Sequence, residues 1–232
     1  MKDKYIIWLA NTKTGSTSIR SNLIGPPYVL DKVHGWRGES KYIFQREWRG
    51  GQHLPEISNE GRLPKGKVIY SWVHDRDIYA QEYHNRPDVF SFMVVRNPYD
   101  RFVSSYYFSL KRNWIKDSIE FVAKNLKNYT LGGTKVKNSF WKHTVFKQTS
   151  GLIKGGEFLR PDKIIRFEKL QEEWEQFCKE YPDILPIDRP FPHLRTSSRT
   201  GKAYHPLLTP TVKRYVEDFF KEDFEYLDYS YD

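Results

Sequence analysis

A chain of 232 residues with 38 Lys and Arg against 29 Asp and Glu, net charge +9, is long enough for one domain with a real core. Its 16% aromatic and 29% charged residues exclude a disordered chain, and its one cysteine excludes an internal disulfide or a cysteine-based metal site. The basic balance favours a polyanionic partner (a nucleotide, an anionic glycan, nucleic acid or an acidic membrane surface), with plain solubility as the alternative.

Tyr5–Ala10, "YIIWLA", reads as a first strand, too short for a secretory signal or a membrane span. It stops at Asn11, and Lys13, Thr14, Gly15, Ser16, Thr17 and Ser18 lead into a helix start. A strand running into small residues and a helix offers backbone N–H groups to an anion. Gly15 permits close approach, the hydroxyls add donors, and Lys13 adds a mobile positive charge. An ordinary Ser/Thr cap with a solvated lysine fits the stretch alone equally well. The nucleotide P-loop, G-x-x-x-x-G-K-[ST], is not matched, because Lys13 precedes Gly15 and the loop has no earlier glycine.

Residues 25–67 hold Pro, Gly, Trp and Arg without a clean period and read as a long excursion on the ligand side. Trp36, Arg37, Arg46, Trp48, Arg49 and His53 fall there; aromatic faces suit sugar rings and arginines suit carboxylates or sulfates. Lys67–Val73 is a second predicted strand, and His74 follows it directly. A neutral imidazole at a strand end can take a proton from a hydroxyl. Asp75, Asp77, Glu82 and His84 are nearby alternatives, and a merely polar histidine is the bland reading.

Val89–Val95 is a third strand, ended by Arg96. Tyr99, Phe102, Val103, Tyr106, Tyr107 and Leu110 then form one helix face, with Asn97 placed to cap it and Pro98 at its first position. Arg96 and Ser104 are suited to sharing one phosphate, against a salt bridge for Arg96 and a solvated position for Ser104; Arg101 reads as structural. Residues 113–156 read as a helical insertion with a bend at Gly132-Gly133; Asn128-Tyr129-Thr130 is a glycosylation pattern with meaning only in a secreted chain. Lys163–Phe167 is a fourth strand. Leu170, Trp174, Phe177, Cys178 and Tyr181 make a second helix face, with Cys178 as a small buried hydrophobe. A proline-punctuated loop covers 186–206, and Thr209-Pro210 open a last helix through Val212, Tyr215, Val216, Phe219 and Phe220.

Strands alternating with helices predict an α/β fold, and its nearly continuous apolar strands predict a parallel sheet buried on both faces. The loops after such strands gather along one edge, where ligands bind. Asn11–Ser18, the segment from His74 and the turn at Arg96 are therefore expected to meet.

"NTKTGSTSI" resembles the 5′-phosphosulfate loop of sulfotransferases, and "VVRNPYDRFVSSYYF" resembles their 3′-phosphate motif. "KIIRFEKLQEEWEQFC" and "PHLRTSSRTGKAYHPLLTPTVKRYVEDFFKEDFEYLDY" are similar to the later part of the carbohydrate sulfotransferases, including the heparan 2-O-sulfotransferase branch. Relatives often carry proline where Thr12 stands and aspartate where Asn97 stands; the resemblance does not extend to 25–67, which is expected to shape the acceptor site.

The resemblance implies a P-loop-like three-layer sandwich, a central parallel sheet flanked by helices, in a single domain spanning 1–232. It implies a donor, 3′-phosphoadenosine 5′-phosphosulfate (PAPS; product PAP), and no metal. Lys13 would hold the bridging and 5′-phosphate oxygens, with Thr14, Gly15, Ser16, Thr17 and Ser18 beside it. Arg96 and Ser104 would hold the 3′-phosphate. Arg195, Ser197 and Ser198 fall in the loop that closes over nucleotide or acceptor, and His74 stands where that branch has its catalytic base. The expected reaction is in-line sulfuryl transfer to a carbohydrate or other hydroxyl acceptor, with Arg46, Arg49, His53 and Arg195 as candidates for an anionic one. A nucleotide kinase and a basic nucleic-acid-binding module are the rivals. Neither nucleic acid nor membrane is expected as a partner; the expected compartment is the cytoplasm, or the Golgi lumen for an excised domain.

Overall fold

The computed structural model describes residues 5–16, 18–19, 68–71, 76–127, 146–182 and 205–231; for 68–71, 78, 82 and 205 it describes the backbone alone. The described residues divide into two compact units. The first is drawn from Met1–Asn11, Gly15–Val94 and Ser150–Arg195, the second from Thr12–Thr14, Val95–Thr149 and Thr196–Asp232.

The first unit is built on a four-stranded sheet. β1 (Tyr5–Leu9) lies between β2 (Val68–Ser71) and β3 (Val89–Val95), with β6 (Lys163–Arg166) beyond β3. β1 is parallel to both neighbours; Leu9 pairs with Ser71 on one side and Met93 on the other. Every residue of β1 and β3 is buried, which is why both read as nearly continuous apolar runs, broken only by Ser91, rather than alternating ones. A helix, α3 (Leu170–Glu180), packs Trp174 and Phe177 against Phe90 and Phe92 while Glu172, Glu175 and Lys179 stay exposed. Each such large side chain taken out of water contributes roughly 1.5–3 kcal/mol. Cys178 is half-buried against this cluster, and burial pushes its thiol up to about 12, with Glu175 adding to the effect. The molecule is thus an α/β fold with a parallel sheet flanked by helices.

The segment predicted as a helical insertion departs from that expectation. It contains a short helix, α2 (Ile119–Lys124), capped by Ser118, whose hydroxyl accepts from Phe121 N at 3.2 Å. Its end, however, is the first strand and turn of a hairpin, β4 (Ile153–Lys154), which pairs with β5 (Glu157–Phe158) just beyond it. Gly155 and Gly156 have φ of 59° and 86°, as a two-residue type I′ turn demands.

The second unit is helical. α1 (Pro98–Lys111) begins as predicted: the Asn97 side chain accepts from Tyr99 N at 2.9 Å and Pro98 occupies the first turn. α4 (Pro210–Phe219) is capped by Thr209, and α5 (Lys221–Tyr226) follows at once. Tyr99, Phe102, Val103 and Tyr106 of α1 share a core with Val122, Val212, Val216, Phe220 and Phe224.

Candidate active site

Within the first unit, the carboxyl ends of β1 and β3 are tied by side chains. Asn11 Nδ2 donates to Val94 O at 2.9 Å, and Asn11 Oδ1 accepts from Arg76 at 2.6 Å. The same guanidinium donates to Ala10 O at 3.1 Å. Arg76 is fully buried, so its charge is compensated by a fixed set of acceptors rather than by water. It begins the short helical turn Arg76–Ile78 that runs into a π-helical turn, Tyr79–Tyr83.

Gly15 has φ of 76°, and the helix that starts at Ser16 takes its carbonyl as first acceptor, from Ile19 N at 3.1 Å. A Cβ at Gly15 would stand 2.7 Å from Leu170 Cδ2 and 3.2 Å from Phe167. Gly15→Ala is therefore expected to lose about 1–2 kcal/mol to the left-handed backbone alone, with the crowding added. Chemical denaturation measures that loss, and turnover should fall with it.

In the second unit, residues from the two sequence motifs come together. Arg96 donates from Nη1 to Lys13 O at 3.2 Å, across 83 positions of sequence. Lys13 has φ of 65°, a left-handed conformation uncommon outside glycine, and its Nζ lies 4.3 Å from the centroid of the Phe108 ring. Arg101 donates from Nε to Thr12 O at 3.3 Å. Ser104 is half-buried and stands between these contacts on α1, three residues after Arg101 and four before Phe108. That spacing puts all three on one helix face. Arg112 stacks over Phe108 (4.7 Å) and Trp114 (5.4 Å), extending the cationic and aromatic surface beyond Lys13.

A buried network lies behind this face. Arg96 N donates to Gln148 Oε1, and Gln148 Nε2 donates back to Arg96 O, both at 2.8 Å. The Asp223 carboxylate accepts from Gln148 N at 2.8 Å, Thr149 N at 2.9 Å and Thr149 Oγ1 at 2.8 Å. Arg101, 2% exposed, lies 3.9 Å from Asp223 and also donates to Phe146 O. Burial draws the Arg101 guanidinium down to about 10, with Asp223 opposing and Arg96 assisting, so it is charged at neutral pH. The sequence marks Arg101 as structural, and it is so; the parts played by Gln148, Asp223 and Arg76 are not foreseen. Asp223 alone leaves a trace, a carboxylate set among Phe219, Phe220 and Phe224 at apolar spacing.

A family model described as "Sulfotransferase family" matches residues 2–230. This chain belongs to the sulfotransferase family. Among solved structures, this sulfotransferase is similar to the crystal structure of a sulfotransferase from Alicyclobacillus acidocaldarius, at 14% identity and a TM-score of 0.56, over 97% of this chain and 94% of that one. The likeness is one of fold. No curated protein matches the chain.

Of the other predicted site residues, Thr14 is fully buried, Ser16 half-buried and Ser18 buried. Thr17, Arg46, Arg49, His53, His74, Arg195, Ser197 and Ser198 lie outside the described residues, as does Asp75. Two alternatives to His74 are described. Asp77 is exposed and paired with Lys154 at 2.7 Å. His84 Nδ1 lies 3.4 Å from the Tyr79 hydroxyl, which donates to Ser91 Oγ; its turn leads into the amino end of β3, not the carboxyl edge. Among the described residues no group of three or more His, Cys, Asp and Glu is placed to hold a metal, and no helix is long and apolar enough to cross a membrane.

Proposed function

We propose that this sulfotransferase moves a sulfuryl group from 3′-phosphoadenosine 5′-phosphosulfate to a hydroxyl of an anionic carbohydrate. The observation that carries the reading is the hydrogen bond from Arg96 to the Lys13 carbonyl. A nucleotide phosphorylated at both 3′ and 5′ positions needs two sets of cationic and hydroxyl donors within its own length. Lys13 on its turn supplies one, and Arg96 beyond β3 with Ser104 on α1 supplies the other. In this reading Lys13 and Thr14, with the loop motif through Gly15, Ser16, Thr17 and Ser18, hold the 5′-phosphosulfate. Arg96 and Ser104 hold the 3′-phosphate, with Ser197 and Ser198 closing over the nucleotide.

When bound, the phosphosulfate supplies the transferable group. Lys13 offsets the charge that gathers on the phosphate oxygen as the sulfur leaves, a preorganised electrostatic role. His74 takes the proton from the acceptor hydroxyl. Arg46, Arg49, His53 and Arg195 are assigned to binding the acceptor. The Arg112 stack over Phe108 and Trp114 supports an acceptor that bears both rings and negative charge.

Adenosine 3′,5′-bisphosphate, ATP and a short oligonucleotide, each tested by thermal shift, separate this reading from its rivals; the bisphosphate alone should stabilise the protein strongly. Ser104→Ala should weaken the bisphosphate about tenfold, the scale of one hydrogen bond to a charged group, and leave adenosine 5′-phosphate unchanged by calorimetry. Equal weakening of both nucleotides removes Ser104 from the 3′-phosphate.

A further inference from the structure

We infer that Gln148 and Asp223 are positioning residues that aim Arg96 at the nucleotide's 3′-phosphate. The inference rests on the nucleotide reading above. Arg96 is the first residue beyond β3, where strand pairing no longer fixes the chain. There the Gln148 side-chain amide takes the place of a neighbouring strand: it accepts from Arg96 N and donates to Arg96 O. One bond holds the peptide before Arg96 Cα and the other holds the peptide after it. The direction in which the guanidinium leaves the backbone is thereby set.

Gln148 is itself held. It is fully buried, and its own N–H, with the N–H and hydroxyl of Thr149, is taken up by Asp223. Asp223 is fully buried as well and sits in α5, so the last helix of the described chain anchors the residue that holds Arg96. Arg101, next to Asp223, reaches the Thr12 carbonyl. One network therefore ends on the backbone of both phosphate-binding segments. A buried charged network is a poor choice for stability alone, since packed apolar side chains serve as well or better. Its endpoints at Thr12 and Arg96 give it a positional purpose.

The test is the ratio of affinities for adenosine 3′,5′-bisphosphate and adenosine 5′-phosphate, measured on wild type, Arg96→Ala, Gln148→Met and Gln148→Glu. Arg96→Ala should abolish the preference. Gln148→Met, which can neither donate nor accept well, should reduce it about tenfold, the cost of misplacing one charged hydrogen bond. Gln148→Glu keeps the volume and the acceptor but loses the donor to Arg96 O, and should fall between; it serves if the methionine variant does not fold. A role confined to holding the fold would lower the melting temperature and weaken both nucleotides alike, leaving the ratio unchanged, and that result overturns the inference. If Arg96→Ala loses the preference while both Gln148 variants keep it, the nucleotide reading stands and the inference alone is wrong. If wild type shows no preference, the reading fails and takes the inference with it.

Discussion

Lys13→Ala is expected to lose turnover by at least about 10²–10³-fold, the effect of removing one donor from a preorganised anion site. Affinity for the 5′-phosphate end should weaken with it, while the grip on the 3′-phosphate should not. Arg96 reaches Lys13 through its main-chain oxygen, which any side chain at this position retains. The variant should therefore keep its preference for adenosine 3′,5′-bisphosphate over adenosine 5′-phosphate. Lys13→Gly sharpens the comparison. At φ of 65° a side chain costs about 1–2 kcal/mol that glycine avoids, set against about 0.5–1 kcal/mol of extra chain entropy. Lys13→Gly should thus be as stable as wild type or slightly more so, yet as inactive as the alanine variant. Steady-state sulfation assays with thermal unfolding test both halves, and substantial turnover in either variant removes Lys13 from the mechanism.

How much of this was open to reading from the sequence differs by element. β1, β3 and β6 stand within one residue of their expected ends; β1 and β3 do so because a strand buried on both faces shows a nearly continuous apolar run, whereas in β6 only Ile165 is buried. α1 was legible down to its Asn97 cap, since the cap is a local hydrogen bond between neighbours. The β4–β5 hairpin was not, because two-residue strands carry no period; its one trace, Gly155-Gly156, falls at the end of the predicted helical insertion. The meeting of Lys13 with Arg96 was expected from strand adjacency, and β1 and β3 are indeed parallel neighbours. What packs behind them was hidden for a different reason. Gln148 reaches Arg96 across 52 positions and Asp223 across 75, and nothing in the composition of either stretch announces the other. Arg76 shows the same limit: a lone arginine in sequence reads as solvated, while here it is sealed under Ala10 and Asn11.

His74→Ala should suppress turnover about 10²–10⁴-fold while nucleotide affinity stays near wild type, since a general base meets the acceptor hydroxyl and not the phosphates. The sign of the pH dependence follows from the same role. A base works only when unprotonated, so wild-type rate should fall as pH drops through the histidine range, about 6.5 for an unperturbed imidazole. The alanine variant should lose that limb and run flat across it. The described alternatives are poor substitutes: Asp77 is engaged with Lys154 at the surface, and His84 belongs to the turn before β3, at the far end of the strand from Arg96. Near-normal turnover in His74→Ala, with the acidic limb intact, transfers the proton to another group, and Glu82→Gln is then the variant whose pH profile decides.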